Sequence, residues 1–133
     1  MFSLTVCDHI MIAHSFRGEE FGPAQKLHGA TFAVEAEFRA EQLDHLQLLV
    51  DIGLAKVELR RVLDALDYSN LDDNPTFKGI NTTTEYVALH IHGELAAACR
   101  DGRLGDGGRL VSGLKVLLRE SPNAWAAYEG PIA

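Results

Sequence analysis

His14 and His28 are the residues of this chain whose type and spacing suggest chemistry. His14 closes a run in which Phe2, Leu4, Val6, Ile10 and Ile12 occupy even positions, with Ser3, Thr5, His9 and Met11 between them. His28 opens a second run on the same phase, with Phe32, Val34, Ala36 and Phe38 facing one way and Thr31, Glu35, Glu37 and Arg39 the other. A period of two marks a strand with one buried face. If the two strands pair antiparallel across the Gly18, Gly22 and Pro23 loop, both imidazoles stand at one end and on one side of the sheet. Cross-strand neighbours of this kind have Cβ atoms roughly 5 Å apart, close enough to share a metal ion. Catalytic zinc usually takes three protein ligands and keeps one open position. The natural third position along that face is Ala30, which has no donor. The pair equally fits two hydrogen-bonded histidines at a strand end.

The elements that must position these residues follow from periodicity. Leu59, Val62, Leu63 and Leu66 sit at i, i+3, i+4 and i+7, the stripe of an amphipathic helix from Leu54 to near Tyr68. A polar connection leads to Thr82 and Glu85, which have capping-box spacing. A helix with Val87, Ala88, Ile91, Leu95 and Ala98 inward follows and stops at the glycine-rich "DGRLGDGG". Alternation returns through Leu110, Leu114, Val116 and Leu118 to Glu120, Pro122 marks a turn, and "AWAAYEG" reads as a short last strand. The order ββααββ, with strands at both ends, predicts an α+β domain whose antiparallel sheet is covered on one face.

Length and composition agree with one domain over residues 1–133. With 47% hydrophobic and 23% charged residues, the chain reads as an ordinary globular protein. No stretch reaches the roughly 20 apolar residues of a membrane helix. The N-terminal run lacks a basic start and carries Asp8 and His9, which argues against a signal peptide and sets a cytoplasmic expectation. A net charge of −7 with no Lys/Arg cluster disfavours nucleic acid, yet leaves room for local binding of an anionic small molecule. Cys7 and Cys99 lack C-x-x-C spacing and read as buried free thiols.

Six stretches in order, "IAHSF", "LHGATF", "LVDIGLAK", "ALDYSNLDD", "TTTEYVALHI" and "LLRES", resemble the 6-pyruvoyl- and 6-carboxy-tetrahydropterin synthases. The resemblance implies the tunnelling fold (T-fold), in which subunits join their sheets into a barrel, commonly as a homo-hexamer built as a dimer of trimers. It implies pterin pockets between subunits. It matches His14 and His28 to two of three zinc ligands, while the third falls on Ala30 and the catalytic cysteine on Ala24. It matches the glutamate that anchors the pterin ring to Glu120, the Thr-Thr-Glu lining the pocket to Thr83, Thr84 and Glu85, and the proton-transferring Asp-His pair to Asp67 and Tyr68.

With Ala24 unable to act as a base, Glu19 and Glu20 in the loop are the carboxylates that stand closest in sequence to replace it. Tyrosine ionises near pH 10, so Tyr68 suits a proton donor better than a base. Each residue also has a plainer reading. Glu85 serves as a capping carboxylate, Glu120 as a solvated residue past a strand, and Glu19 and Glu20 as surface charges; His9, His45, His90 and His92 have no assigned partner. Two functions are therefore expected to compete: a pterin-processing lyase acting on 7,8-dihydroneopterin triphosphate or a related pterin, with zinc on an incomplete site, and a non-catalytic pterin-binding oligomer.

Overall fold

A computed structural model describes residues 1–133. Strands β1 (Phe2–His14) and β2 (His28–Ala40) are followed by helix α1 (Ile52–Asp64), the two-residue strand β3 (Ser69–Asn70), helix α2 (Thr84–Arg100), and strands β4 (Gly113–Ser121) and β5 (Ala124–Pro131). They form one sheet in the order β3-β1-β2-β4-β5. All neighbours are antiparallel except β3, which runs parallel to β1. The α+β class and the ββααββ order hold, with β3 as the added element.

The alternation in β1, β2 and β4 decides which face is covered. Val6, Ile10, Ile12, Phe32, Val34, Ala36, Phe38, Leu114, Val116 and Leu118 are all buried. Helix α1 packs on β1, and α2 on β4 and β5. Their stripes, Leu59, Val62 and Leu63 on one and Val87, Ala88, Ile91 and Leu95 on the other, close a single hydrophobic cluster. Burying a side chain such as Phe32 or Phe38 contributes about 1.5–3 kcal/mol, so this cluster fixes the register of the sheet.

Four expectations are corrected. Helix α2 is capped by Thr83, whose Oγ accepts from the amide of Tyr86 at 3.2 Å, and not by Thr82. Thr82 is 1% exposed and committed to His14, so the cap shifts by one residue and Glu85, now exposed at the second helical position, is no capping-box carboxylate. Helix α1 ends at Asp64, short of Tyr68, which has φ 55°. Leu110 closes a short 3₁₀ turn and is 40% exposed, because the glycine-rich stretch packs Gly107 against the Leu49 carbonyl, where an added Cβ would lie 2.3 Å from the oxygen. Both thiols are free, but only Cys99 is buried; Cys7 lies on the odd phase, which faces away from the helices.

Candidate active site around a histidine pair

His14 and His28 are direct partners in the β1–β2 register, with ring centroids 4.6 Å apart. Each ring is oriented through Nδ1. In His14, only 2% exposed, Nδ1 lies 3.0 Å from the Thr82 carbonyl oxygen and 3.1 Å from Thr82 Oγ1. In His28, Nδ1 lies 2.8 Å from the Lys26 carbonyl oxygen. A carbonyl only accepts, so each Nδ1 carries the hydrogen and each neutral ring keeps its lone pair on Nε2. Histidine metal ligands are commonly oriented in this way, by a hydrogen bond from the nitrogen that does not bind. Burial, followed by the neighbouring His28, holds the His14 pKa below its ordinary value against the opposing pull of the Thr82 carbonyl and Asp72. His14 is therefore neutral at neutral pH, the form in which imidazole donates a lone pair.

Aromatic rings wall the pair. Phe16 lies 4.6 Å from His14 and 5.6 Å from His28 between centroids, and Phe21 lies 4.7 Å from Phe16. Ala24 supports this wall through its backbone, accepting from the Phe16 amide at 3.1 Å. Ala30 stands opposite Ile12 and packs its methyl against the core. No group of three His, Cys, Asp or Glu side chains in the chain is placed to hold a metal ion. The pair thus fits two positions of a divalent metal's coordination, and this chain supplies no third protein donor.

Long-range hydrogen bonds hold the rim. Ser15 gives its amide to Asp72 Oδ1 at 3.2 Å and its hydroxyl to Asp72 Oδ2 at 2.6 Å. Asn81 Oδ1 accepts from the Arg17 amide at 2.9 Å, and Asn81 Nδ2 donates to the Arg17 carbonyl at 3.0 Å. Phe16, Asp72, Asn81 and Thr82 are site residues that sequence reasoning does not find. For the last three the reason is separation: 57, 64 and 68 residues lie between partners that no local period connects.

The other predicted residues divide. Thr83 and Thr84 open α2 directly after Thr82, at the histidine end of the sheet. Glu120 reaches the same end, exposed at the register shift between Arg119 and Ser121, an irregularity that turns a side chain out of the pleat. Glu19 is exposed in the 3₁₀ segment Glu19–Gln25, and Glu85 is exposed on α2. Asp67 has both oxygens engaged, Oδ1 by the Met11 amide at 2.9 Å and Oδ2 by Arg60 Nη2 at 2.8 Å. Tyr68 gives its amide to the Met11 carbonyl at 2.7 Å and leaves its ring 82% exposed. Asp67 and Tyr68 therefore clamp the same residue of β1, three positions before His14.

A sequence model of the 6-pyruvoyl tetrahydropterin synthase family matches residues 3–131. A 6-pyruvoyl tetrahydrobiopterin synthase of Dictyostelium discoideum is 28% identical over 112 residues, 83% of this chain and 76% of that protein. Among solved structures, the Caenorhabditis elegans 6-pyruvoyl tetrahydropterin synthase superposes with a TM-score of 0.79 at 24% identity, covering 97% of this chain and 95% of that one. A Plasmodium vivax 6-pyruvoyltetrahydropterin synthase, in a variant whose catalytic glutamate is replaced by alanine, gives 0.79 at 19% identity, covering 98% of each chain. The fold, the paired histidines and the match across nearly the whole sequence agree, and the chain belongs to the 6-pyruvoyl tetrahydropterin synthase family.

Proposed function

We propose that this protein is a pterin-processing lyase acting on 7,8-dihydroneopterin triphosphate or a closely related pterin. The observation that carries the reading is the histidine pair, with both Nδ1 atoms held by carbonyls and both Nε2 lone pairs left for a ligand. In this reading His14 and His28 hold a divalent metal, zinc by the family resemblance, with its remaining positions filled by water, substrate or a donor from another subunit. Such an ion supplies polarisation of a substrate side-chain oxygen. Glu120, Thr83, Thr84 and Glu85 hold the pterin ring through its amide-like edge, whose specificity comes from the cost of leaving buried polar groups unpaired.

Proton transfer falls to side chains that no hydrogen bond or ion pair occupies. Glu19 carries an uncommitted carboxylate, and the catalytic glutamate of the Plasmodium vivax relative supports a carboxylate in such a role. The exposed Tyr68 hydroxyl is the proton donor, and Asp67, with both oxygens occupied, holds Tyr68 in place. Exposure of these side chains on one chain is consistent with a site completed by assembly. In the sheet, β5 is an outer strand and β1 beyond Ile12 and Ala13 has no neighbour on its outer side, two edges through which subunits would join toward a hexamer.

The absence of a third protein donor favours one competing reading, an oligomer that binds pterin without turning it over. Metal analysis of the purified protein together with a turnover assay on 7,8-dihydroneopterin triphosphate separates the two. Stoichiometric zinc that is lost in His14→Ala and His28→Ala, with turnover lost in parallel, supports the lyase. A metal-free protein that binds the pterin and leaves it unchanged sinks it.

A further inference from the structure

A cavity of about 320 Å³ is lined by Ser15, the residue after His14, and by Arg17, Asp72, Lys78, Gly79 and Asn81, among others. Two of its lining residues are cations and one is a carboxylate. Acidic residues outnumber basic ones 19 to 12, and ion pairs take up Arg39, Arg60, Arg61, Arg103 and Arg119. Neither Arg17 nor Lys78 meets a carboxylate. Their backbones, in contrast, are fixed: Arg17 is clamped at its amide and carbonyl by Asn81, and the Lys78 amide bonds the Pro75 carbonyl. The Arg17 guanidinium lies over the next turn residue, where a Cβ added to Gly79 would stand 4.0 Å from Nη2. Gly79 has φ 79°, a conformation that favours glycine. The one carboxylate on the wall, Asp72, spends both oxygens on Ser15.

We infer that this cavity is an anion pocket that takes the phosphoryl-bearing end of the molecule bound at the histidine pair. The inference rests on the reading of that pair as the site where a pterin reacts. A guanidinium offers a planar fork of donors to phosphoryl oxygens and an ammonium a mobile point charge; together they outweigh the committed carboxylate. Ser15 follows His14 in the chain and Asn81 precedes Thr82, the partner of His14, so the cavity wall and the histidine pair share two stretches of backbone, and a ligand with its ring at one end and its phosphoryl chain at the other would reach both. Arg17 and Lys78 lie outside all six stretches that carry the resemblance.

Calorimetry with three probes tests this: 7,8-dihydroneopterin, inorganic tripolyphosphate, and 7,8-dihydroneopterin triphosphate. Both cations are exposed and unpaired, so Arg17→Ala and Lys78→Ala are expected to melt like the wild type; Lys56→Ala, on α1, controls for global charge. Each pocket variant is expected to weaken the triphosphate and tripolyphosphate about tenfold or more, and to leave 7,8-dihydroneopterin unchanged. Unchanged tripolyphosphate binding in both variants, or losses matched by Lys56→Ala, overturns the pocket. So does equal affinity for 7,8-dihydroneopterin and its triphosphate, which would make the cavity a site for free phosphate. If 7,8-dihydroneopterin fails to bind while tripolyphosphate binds through Arg17 and Lys78, the pocket stands and the pterin reading falls.

Discussion

Two polar clusters flank the same strand and are built on opposite principles. Around Arg60, every group has a partner: the guanidinium reaches Asp8 at 3.1 Å, Asp64 at 2.8 Å and Asp67 at 2.8 Å, and also bonds the His9 carbonyl at 3.2 Å. Around His14 and His28, each ring is held by one nitrogen and left free at the other. A saturated cluster ties α1 and the turn after it to β1 and has nothing left to offer a ligand. A half-satisfied one, walled by Phe16 and Phe21, keeps two lone pairs in reserve. Polar density alone does not separate structure from function here; unspent hydrogen-bonding capacity does.

The largest effect that sharpens this contrast is on activity. His28→Ala should lower turnover on the order of 100-fold or more, with the bound metal lost, while a circular dichroism melt stays close to wild type because the ring is only half-buried. Arg60→Ala should do the reverse. Removing one cation from three carboxylates should cost about 1–3 kcal/mol of stability in a denaturant titration, with turnover per folded molecule near wild type. If Arg60→Ala abolishes turnover at full stability, or His28→Ala unfolds the chain, the contrast is wrong.

Smaller effects probe the supports of each cluster. Thr82→Val removes the hydroxyl 3.1 Å from His14 Nδ1 and keeps the carbonyl. Metal affinity should fall about tenfold, and stability by about 1 kcal/mol. Asp67→Asn keeps an oxygen for the Met11 amide and loses the charge facing Arg60. A loss of about 1 kcal/mol with turnover retained fits its positioning role, whereas Tyr68→Phe, which keeps the backbone bond to Met11, should lower turnover without changing stability.

What the sequence discloses and what it conceals follow the range of the forces involved. The phase of alternation in residues 2–14 and 28–40 is enough to put His14 and His28 on one face at one end of the sheet, because a slip by one residue would turn every apolar side chain of one strand to the wrong face; the register of the folded sheet then sets them opposite each other. The stripe on α1 and the stop after Arg100 are legible for the same reason, as local periods and local glycines. Thr82 shows the limit. Its spacing to Glu85 fits a cap, but a buried imidazole 68 residues away engages both its carbonyl and its hydroxyl, and the cap moves to Thr83. Cys7 misleads in the opposite way: an apolar residue type on the odd phase follows its strand and not its hydrophobicity. The work of the alanines at 24 and 30 is visible only in the fold, a backbone bond to Phe16 and a methyl against the core.

His90 offers the gentlest test, because it is a half-buried histidine outside both clusters. It sits on α2 with its ring 4.9 Å from Phe77, and the charged groups near it are Arg61 and Glu94. Burial pushes its pKa below the ordinary 6.5, against the pull of Glu94, and no carbonyl fixes its tautomer. The folded state therefore takes this proton less readily than the unfolded chain. As pH falls below 6.5 the unfolded chain binds a proton that the fold refuses, so stability declines, and it recovers as pH rises back through that window. One such group changes stability by at most about 1.4 kcal/mol per pH unit. His14, shifted in the same direction, adds to the wild-type slope, so the informative quantity is the difference between wild type and His90→Gln in denaturant titrations from neutral pH downward. The variant should show a shallower slope below pH 6.5 and unchanged metal content. An identical slope would mean that His90 reaches solvent, and a loss of metal would draw it into the site from which the geometry separates it.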